Sequence, residues 1–466
     1  MSALWSPETL ALAAGGRATQ PFGTDRISID SRTIRSGDLF VALEGAHRDG
    51  HEFVADALAR GAAGAMVSRT PPALPSGAPL LLVRDTLEAL HRLAEFARAR
   101  SRARVIAITG SVGKTTTKEM LRRALETFAP GAVHAARASF NNQWGLPLTL
   151  AELPPDAAYA VLEIGTNHPG EIAPLAVLAR PHVAVITAIE KTHIGLLGSL
   201  EAIADEKASL LSALEPEGTA ILPRDTPLLP RLISRLPPGR GLLTFGAGPL
   251  AEIRLIEAES EPAATDVLAS AIGRIVRFHL AAAGRHLAID SLATLAAAAA
   301  LGLDPEAAGT ALSGFAALPG RGARRALPLA GGGEASLLDE SYNASAASVR
   351  AALSVLALQP GRHIAVLGDM LELGELAAEE HLGLLPDLTE AADLVFACGP
   401  MMHLPYAELP PRLQGGWAED AEALAPLVAS ALAPGDAVLV KGSLGSRMSV
   451  VVDALLASAT QPVGRH

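Results

Sequence analysis

The chain has 466 residues, which is more than one hydrophobic core fills and indicates about three domains. Its formal net charge of −11 is spread without a basic block, and Trp, Tyr and Phe make up only 3% of the residues, so the composition excludes a nucleic-acid partner but not a free nucleotide. Cys398 is the only cysteine, which excludes an internal disulfide and a thiolate metal cluster.

The hydropathy pattern predicts no membrane segment. Mean hydropathy is +0.30, but this value comes largely from alanine, and no uncharged stretch approaches the roughly 20 strongly apolar residues that span a bilayer. Glu8 interrupts the N-terminus where a signal peptide would be most hydrophobic. We therefore expect a soluble, cytoplasmic protein.

The first block of the chain covers residues 1–101. Its predicted elements are strands at 27–32 and 38–45 and helices at 52–60 and 87–99. The proline-rich segment 71–79 indicates a loop. The charged stretch 98–104 is typical either of a linker between domains or of a solvated helix end.

The rest of the chain alternates continuous apolar strands with helical segments. Such strands are predicted at 105–108, 159–164 and 182–187 in a second block, and at 335–339, 363–368, 393–399 and 437–442 in a third. Strands without polar alternation that are separated by helices are typical of a parallel sheet covered on both faces. We place the three α/β domains at 1–101, 102–317 and 318–466.

The strongest local signal is Thr109-Gly-Ser-Val-Gly-Lys-Thr-Thr116, which follows a buried strand and opens a helix predicted at 114–128. Its glycines let backbone N–H groups approach phosphates, Lys114 can reach the terminal phosphates, and a following hydroxyl can bind Mg²⁺. This pattern predicts binding of ATP or GTP; the alternative is a glycine turn with an incidental Gly-Lys-Thr. Only two residues separate Gly110 from Gly113, where the usual pattern has four, which argues against an ordinary GTPase or small-molecule kinase.

Phosphoryl transfer requires cations, and two residues are candidates to hold them. Glu163 closes the second strand of the central block, and His193 follows the third. Both would lie at the sheet edge that carries the phosphate loop. Read alone, each is more typical of a surface residue, whereas placement at a strand end favours a metal ligand.

A lysine interrupts an apolar stripe on the helix predicted at 199–214. One face of this helix carries Leu200, Ile203, Ala204, Lys207, Leu211 and Leu214. Helix geometry alone favours a lysine at the edge of the stripe that reaches water or pairs with a carboxylate.

With these residues in place, the sequence resembles the Mur ligase family over almost its whole length. The matching segments follow the family's order and lie at 30–32, 36–45, 49–51, 109–116, 141–150, 163–172, 281–286, 319–321, 338–344, 367–374 and 440–443. The similarity is greatest to the branch that joins D-alanyl-D-alanine to UDP-N-acetylmuramoyl-tripeptide, forming the pentapeptide precursor of peptidoglycan. The resemblance implies a smaller N-terminal α/β domain that holds the UDP end of the muramyl-peptide, a central P-loop ATPase-like parallel sheet with helices on both faces, and a mobile Rossmann-like C-terminal domain.

The resemblance also implies roles for individual residues, with ATP and Mg²⁺ as cofactors and a monomeric enzyme. It assigns the nucleotide to Gly110, Ser111, Val112, Gly113, Lys114, Thr115, Thr116, Arg321, Asp339, Tyr342 and Asn343. It assigns the metal to Thr115, Glu163, His193 and Lys207, and catalysis to Lys114, Asn142, His193, Lys207 and Arg321. It assigns the muramyl substrate to Ser31, Arg32, His47, Arg48, Asn167 and His168. Lys207 matches a lysine that carries a carbamate in the family, while Leu287 and Asp290 stand where the family often has asparagines expected to contact adenine.

The implied reaction activates a carboxylate as an acyl phosphate and then joins it to the amine of D-alanyl-D-alanine. Amide synthesis from a free carboxylate is uphill in water, so positioning and charge neutralisation by Lys114, Arg321 and Mg²⁺ are expected to supply most of the catalysis. The alternatives are another Mur-type amino-acid ligase, a folylpolyglutamate synthase, or a nucleotide-binding module that hydrolyses ATP slowly without ligation. Asn141-Asn142 and the run at 367–374 favour the D-alanyl-D-alanine branch.

Overall fold

The computed structural model describes residues 3–45, 48–72, 74–136, 139–329 and 332–458. The described residues form three sheets of five, nine and six strands, which follow one another along the chain. Among these residues no helix is both long and apolar enough to cross a membrane.

The N-terminal part is a small sheet flanked by helices. Its elements are α1 (Pro7–Ala14), β1 (Arg17–Ala18), β2 (Ile27–Ser28), β3 (Leu39–Val41), α2 (Val54–Ala59), β4 (Gly64–Val67), β5 (Leu80–Leu82) and α3 (Thr86–Arg100), with 3-10 helices Ser31–Thr33 and Gly50–Phe53. The strand order is β1-β5-β4-β3-β2, with β1 antiparallel to β5 and the other pairs parallel. The strand predicted at 27–32 is shorter than expected because the Asp30 side chain accepts a hydrogen bond from the backbone N–H of Arg32 and starts a 3-10 helix.

The charged stretch 98–104 begins with an arginine that is buried rather than solvated. Helix α3 continues to Arg100, and the next strand begins at Arg104. Arg98 is only 5% exposed, and its guanidinium donates to the backbone carbonyls of Ala179 and Arg180, each at 2.8 Å. These carbonyls close the C-terminus of a helix in the central part, where carbonyls lack partners within the helix. Arg98 therefore fastens α3 to the central sheet.

The central part is built on the nine-stranded sheet. Its elements are β6 (Arg104–Thr109), α4 (Lys114–Phe128), β7 (Val133–Ala135), α5 (Gly145–Ala151), β8 (Tyr159–Glu163), α6 (Ile172–Ala179), β9 (Val183–Ile186), α7 (Ile194–Leu197), α8 (Leu200–Ala208), 3-10 helix Ser209–Ala213, β10 (Thr219–Pro223), α9 (Leu229–Ser234), β11 (Gly241–Gly246), β12 (Ile253–Glu261), β13 (Ala264–Ala271), β14 (Arg274–Leu280), α10 (Arg285–Ala300) and α11 (Pro305–Ala311). The strand order is β14-β13-β12-β11-β10-β9-β6-β8-β7.

Both faces of this sheet are buried, as the uninterrupted apolar strands predict. Along β6, Val105 and Ala107 pack into one hydrophobic cluster with residues of α5 and α6. Ile106 and Ile108 point to the opposite face and pack against α4 and α10. Alternate side chains of one strand thus fill two cores, which is why polar alternation is missing from its sequence.

The sheet is not wholly parallel, which departs from the sequence expectation. Strands β12, β13 and β14 form an antiparallel end to the sheet. Strands β13 and β14 pair Ala271 with Arg274 across the two-residue turn Ile272-Gly273, and both turn residues have positive φ, at 49° and 77°. This is the backbone that a tight hairpin requires, but isoleucine is not a residue that usually marks it.

The C-terminal part has the six-stranded sheet. Its elements are β15 (Ala323–Pro328), β16 (Glu334–Glu340), α12 (Ala346–Leu356), β17 (His363–Gly368), 3-10 helix Gly374–Leu376, α13 (Ala377–Leu382), α14 (Leu385–Ala391), β18 (Leu394–Cys398), α15 (His403–Glu408), 3-10 helix Pro411–Leu413, β19 (Gln414–Ala418), α16 (Ala421–Ala431), β20 (Ala437–Lys441), 3-10 helix Leu444–Ser446 and α17 (Ser449–Ser458). The order is β15-β16-β20-β17-β18-β19, parallel except for β15.

Candidate active site

The phosphate loop links the end of β6 to the start of α4. Gly110 and Gly113 have φ values of 150° and 83°, and a Cβ on Gly110 would lie 1.9 Å from the Thr187 hydroxyl oxygen. Ser111 donates its N–H to Ala188 O and its hydroxyl to Glu190 O, each at 2.9 Å. The segment after β9 therefore holds the loop in shape, and any side chain at position 110 would collide with that segment.

Lys114 begins α4 and folds back over the loop. Its Nζ donates to Gly110 O at 2.7 Å and to Ser111 O at 3.2 Å. Burial lowers the pKa of Lys114, the Glu163 carboxylate opposes that shift, and the positive charge of Arg321 adds to it. The ammonium is thus held at the mouth of the loop by carbonyl oxygens that phosphate oxygens could replace.

A carboxylate lies directly beside the loop. Glu163, at the end of β8, is 1% exposed and accepts hydrogen bonds from the Thr115 hydroxyl at 2.9 Å and from Asn141 Nδ2 at 2.8 Å. A hydroxyl and a carboxylate in contact provide the hard oxygen donors that Mg²⁺ requires, so these residues fit that ion.

The asparagine beside this carboxylate is not the one singled out from the sequence. Asn142 is exposed, and its Oδ1 accepts from the backbone N–H of Gly145 at 2.9 Å, at the start of α5. Asn141 is the residue that contacts Glu163. The Asn-Asn pair was noticed in the sequence, but only the fold decides which of two neighbours points inward.

Lys207 is almost fully buried in the central part. It lies in the last turn of α8 and is 2% exposed. Among the described residues its ammonium has no hydrogen bond or ion pair. The neighbouring Glu206 is committed elsewhere, because its two oxygens accept from Gly170 N at 2.7 Å and Ile172 N at 2.9 Å. The interpretation of a lysine that reaches water from the edge of the stripe is wrong.

The electrostatics of Lys207 follow from this position. Burial lowers its pKa well below the usual value, and the nearby charge of Lys114 lowers it further. The predicted helix at 199–214 is also shorter than expected, since α8 ends at Ala208 and a 3-10 helix continues to Ala213. A neutral amine is therefore favoured at this site.

His193 precedes α7 and faces the C-terminal part of the chain. It has a positive φ of 58°, and its Nδ1 donates to the carboxylate of Glu372. Burial lowers the pKa of His193, Glu372 opposes this shift, and Lys114 and Lys207 add to it. The fold thus brings His193 into the same electrostatic neighbourhood as the two lysines.

Of the predicted C-terminal site residues, Arg321 contacts the central part, whereas Asp339 and Asn343 form hydrogen bonds within the C-terminal part. The Arg321 guanidinium lies 3.9 Å from the Tyr342 ring centroid and donates to the Ser139 hydroxyl at 3.2 Å, so it reaches the central part. Asp339 is 4% exposed and accepts from Gly320 N and from the Ser341 hydroxyl, so it holds the segment before β15 against the end of β16. Asn343 is exposed, and its Oδ1 accepts from the N–H of Ala344.

Three consecutive segments match known families. The Mur ligase family, catalytic domain, matches residues 24–98, the Mur ligase middle domain matches 108–298, and the Mur ligase, glutamate ligase domain matches 325–444. The UDP-N-acetylmuramoyl-tripeptide–D-alanyl-D-alanine ligase of Synechocystis is 40% identical over 358 residues, which cover 77% of this chain and 75% of that protein. The enzyme of the same name from Escherichia coli is 33% identical and covers 94% of each chain. The chain belongs to the Mur ligase family.

Solved structures agree with this membership. A crystal structure of MurF from Acinetobacter baumannii is 30% identical, covers 97% of this Mur ligase and 99% of that chain, and gives a TM-score of 0.83. The Thermotoga maritima MurF in complex with ADP is 27% identical, covers 93% and 97%, and gives 0.76. The three-domain α/β architecture predicted from the sequence is confirmed.

A cavity separates the central and C-terminal parts of this Mur ligase. It measures about 210 Å³, and its lining includes Ala282, His286, Leu287, Arg321 and Leu338. Burial lowers the pKa of His286, which keeps its imidazole neutral. The cavity therefore combines apolar walls and a neutral ring with the charged side chains of Arg321, Arg324 and Glu340.

Asp290 lies close to the phosphate loop rather than in open solvent. A Cβ on Gly113 would come within 2.5 Å of its Oδ1. Burial raises the pKa of Asp290 to about 8. The carboxyl is therefore neutral at pH 7 and can both donate and accept a hydrogen bond, as an asparagine side chain does.

The substrate-side residues of the N-terminal part do not join this cluster. Ser31 is buried, and the exposed Arg32 pairs with Asp30 at 2.7 Å. Arg48 is exposed, and His47 lies outside the described residues. Their roles remain predictions.

The two substrate-side residues of the central part lie together in the loop between β8 and α6. Asn167 and His168 are exposed. Their backbone N–H groups donate to the Glu171 carboxylate at 2.8 and 3.1 Å. The His168 ring also lies 3.2 Å from the Glu171 carboxylate through its Nδ1. The role of both residues remains a prediction.

A second group of possible metal ligands, Glu44, Asp49 and His51, lies in the N-terminal part. Arg69 forms ion pairs with both Glu44 and Asp49. Because the guanidinium already contacts both carboxylates, we assign no metal to this group.

Proposed function

We propose that this Mur ligase joins D-alanyl-D-alanine to UDP-N-acetylmuramoyl-tripeptide, with conversion of ATP to ADP and phosphate. The names of its relatives support this activity. The observation that carries it is the contact of Thr115 and Asn141 with the Glu163 carboxylate, directly beside a phosphate loop whose lysine already faces inward.

The proposed reaction has two steps. The terminal carboxylate of the tripeptide attacks the γ-phosphate of ATP, so that ADP leaves and an acyl phosphate forms. The free amine of D-alanyl-D-alanine then attacks the acyl carbon, and phosphate leaves with the amide bond made. Lys114 and Arg321 stabilise the negative charge that is spread over the transferred phosphoryl group.

Thr115, Glu163, His193 and Lys207 would hold Mg²⁺. Bound there, the ion would offset the negative charge of the β- and γ-phosphates. Glu163 keeps its carboxylate oriented through Asn141, and the Thr115 hydroxyl lies next to it. His193 contributes a ring nitrogen, which is a less typical Mg²⁺ donor than oxygen.

A carbamate on Lys207 would remove the buried, unpaired ammonium. The neutral amine adds to CO₂, an N–C bond forms, and one proton is released. The product is an anion with two oxygen atoms beside the cationic Lys114, so the repulsion that lowers the pKa of Lys207 becomes attraction. The lowered pKa supports this proposal, because only the neutral amine reacts.

The cavity beside Arg321 is the proposed site of the nucleotide base. Its apolar walls suit a flat ring, and the neutral Asp290 near the loop could replace an asparagine in hydrogen bonding.

We further propose that the domain boundaries lie at 101/102 and 317/318. The monomeric state and the cytoplasmic location predicted from the sequence remain predictions.

The proposed activity is tested by measuring ADP release from the purified protein. ADP should form quickly only when both UDP-N-acetylmuramoyl-tripeptide and D-alanyl-D-alanine are present, and the ligated pentapeptide should be detected by mass spectrometry. Lys114→Ala should abolish product while the circular dichroism spectrum stays unchanged. ADP release that needs a single amino acid instead, or no acceptor, would overturn the assignment in favour of another Mur-type ligase or a non-ligating ATPase.

A further inference from the structure

The segment 367–374 favours the D-alanyl-D-alanine branch, but none of its residues has a role in the reaction proposed above. It begins in the last two residues of β17 and continues beyond the strand. Three of its residues form hydrogen bonds to other segments of the C-terminal part. Asp369 Oδ1 accepts from Met402 N at 2.7 Å, Met370 N donates to His381 Nε2 at 2.9 Å, and Leu371 N donates to the Ser443 hydroxyl at 2.9 Å. The structure therefore fixes the backbone immediately before Glu372.

Glu372 has the backbone conformation that non-glycine residues rarely adopt. Its φ is 64°, a conformation that is unfavourable for a residue with a side chain and persists only where surrounding contacts impose it. The three hydrogen bonds to residues 369–371 are such contacts. They turn Glu372 out of its own domain and towards the central one.

Glu372 meets the central part at the segment that carries His193. Its carbonyl accepts from Gly195 N at 2.9 Å, and its carboxylate accepts from His193 Nδ1. The two backbones touch, since a Cβ on Gly195 would lie 2.5 Å from Gly374 N. The approach is so close that position 195 has no room for a side chain.

The hydrogen bond to Glu372 determines the tautomer and the orientation of the His193 imidazole. A ring nitrogen that faces a carboxylate donates, so Nδ1 carries the hydrogen and the lone pair of the neutral ring lies on Nε2. In metal sites a carboxylate that accepts the far N–H of a ligating histidine fixes both its tautomer and its orientation. Here the carboxylate belongs to a different domain from the histidine.

We propose that Glu372 is a positioning residue that orients His193 for metal binding, and that it does so only while the C-terminal domain is docked on the central domain. The metal site is then complete only in the docked arrangement. This inference rests on the proposed role of His193 as a metal ligand.

A second ion pair crosses the same interface and provides a matched control. Lys191 Nζ lies 2.6 Å from Glu380 Oε1. Lys191 is two residues before His193 and Glu380 eight residues after Glu372, but neither touches a proposed metal ligand. If Glu372 only helped to hold the two domains together, removal of either ion pair should have the same effect on metal binding.

The test measures Mn²⁺ binding to the full-length protein with ADP by electron paramagnetic resonance. Mn²⁺ replaces Mg²⁺ because it accepts the same oxygen and nitrogen ligands and can be observed directly. Glu372→Ala should raise the Mn²⁺ dissociation constant by about 10- to 100-fold. Glu372→Gln, whose amide oxygen still accepts the Nδ1–H, should restore most of the affinity. Glu380→Ala should leave the dissociation constant unchanged.

His193→Ala separates failure of this proposal from failure of the metal assignment. If His193→Ala weakens Mn²⁺ binding but Glu372→Ala does not, the positioning role is overturned and the metal assignment stands. If His193→Ala binds Mn²⁺ as the wild type does, both are overturned. Equal losses in Glu372→Ala and Glu380→Ala would reduce Glu372 to an adhesive contact and also overturn the proposal. Circular dichroism of each variant shows that the fold is retained, and Glu372→Gln provides the comparison if Glu372→Ala does not fold.

Discussion

Arg98 and Lys207 are both buried cations near the end of a helix, but their surroundings differ. Both are almost fully buried, at 5% and 2% exposed. Arg98 donates to two carbonyls at the end of α6 and lies 3.8 Å from Glu215. Lys207 has no hydrogen bond or ion pair within the described parts of the chain.

The difference indicates two uses of a buried charge. A cation whose donors are all satisfied joins parts of the fold, because its desolvation is offset by local acceptors. A cation without acceptors is expensive unless it gives up its charge or gains a ligand. Arg98 is therefore expected to matter for stability and Lys207 for chemistry.

Lys207→Ala is expected to produce the largest effect on activity. Losing a metal ligand should lower kcat/KM for ligation by about 10²-fold or more, with little change in the unfolding midpoint. A short carboxylic acid such as acetate should restore part of the rate by filling the vacant space with an anion. Lys191→Ala, which removes a half-buried cation that pairs with Glu380 and is not a proposed metal ligand, serves as the control. Full activity in Lys207→Ala would show that Lys207 is not needed for catalysis.

Arg98→Ala should show the opposite profile. Its removal leaves the carbonyls of Ala179 and Arg180 without their donor, which should lower the free energy of unfolding by about 3 kcal/mol. Chemical denaturation measures this loss, and kcat should stay near the wild-type value. Arg102→Ala, at an exposed position nearby, should change stability by no more than about 0.5 kcal/mol. A loss of activity without loss of stability in Arg98→Ala would contradict the structural role of Arg98.

Asp290→Asn extends the comparison to an acid beside the phosphate loop and should change how stability depends on pH. Burial raises the pKa of Asp290 from its usual 3.8 to about 8. Between these values the unfolded chain has released a proton that the folded protein keeps, so stability falls as pH rises from about 4 to about 8. Asparagine cannot ionise, so the variant should lack this decline.

The measurement for Asp290→Asn is a set of denaturation curves at several pH values. The stability of the variant relative to the wild type should increase from pH 5 to pH 8.5. A constant difference between the two proteins across this range would show that Asp290 does not retain its proton in the fold.

Much of the fold could be predicted, because local patterns decide it. The helix predicted at 114–128 is α4 (Lys114–Phe128), since glycine ends the loop before it and apolar residues recur at helical spacing. The sequence does not predict the hairpins of β12 to β14, because the turns Pro262-Ala263 and Ile272-Gly273 lack the Asn-Gly or Asp-Gly pair that marks a two-residue hairpin most clearly. A single sequence does not show which strands pair across such turns.

The site was harder to predict wherever direction or distance decides it. Asn141 and Asn142 are adjacent, and only the packed loop shows that Asn141 faces Glu163. Helical spacing put Lys207 on an apolar face but could not tell burial from the edge of that face. Glu372 had no signal at all beyond its motif, because its partner His193 is 179 residues away.

The central claim is that the buried Lys207 carries a carbamate, and ¹³C nuclear magnetic resonance tests it most directly. Wild-type protein equilibrated with ¹³C-labelled bicarbonate should show a carbamate signal that disappears in Lys207→Ala and persists in Arg98→Ala. Absence of the signal from the wild type, or an undiminished signal in Lys207→Ala, would contradict the account.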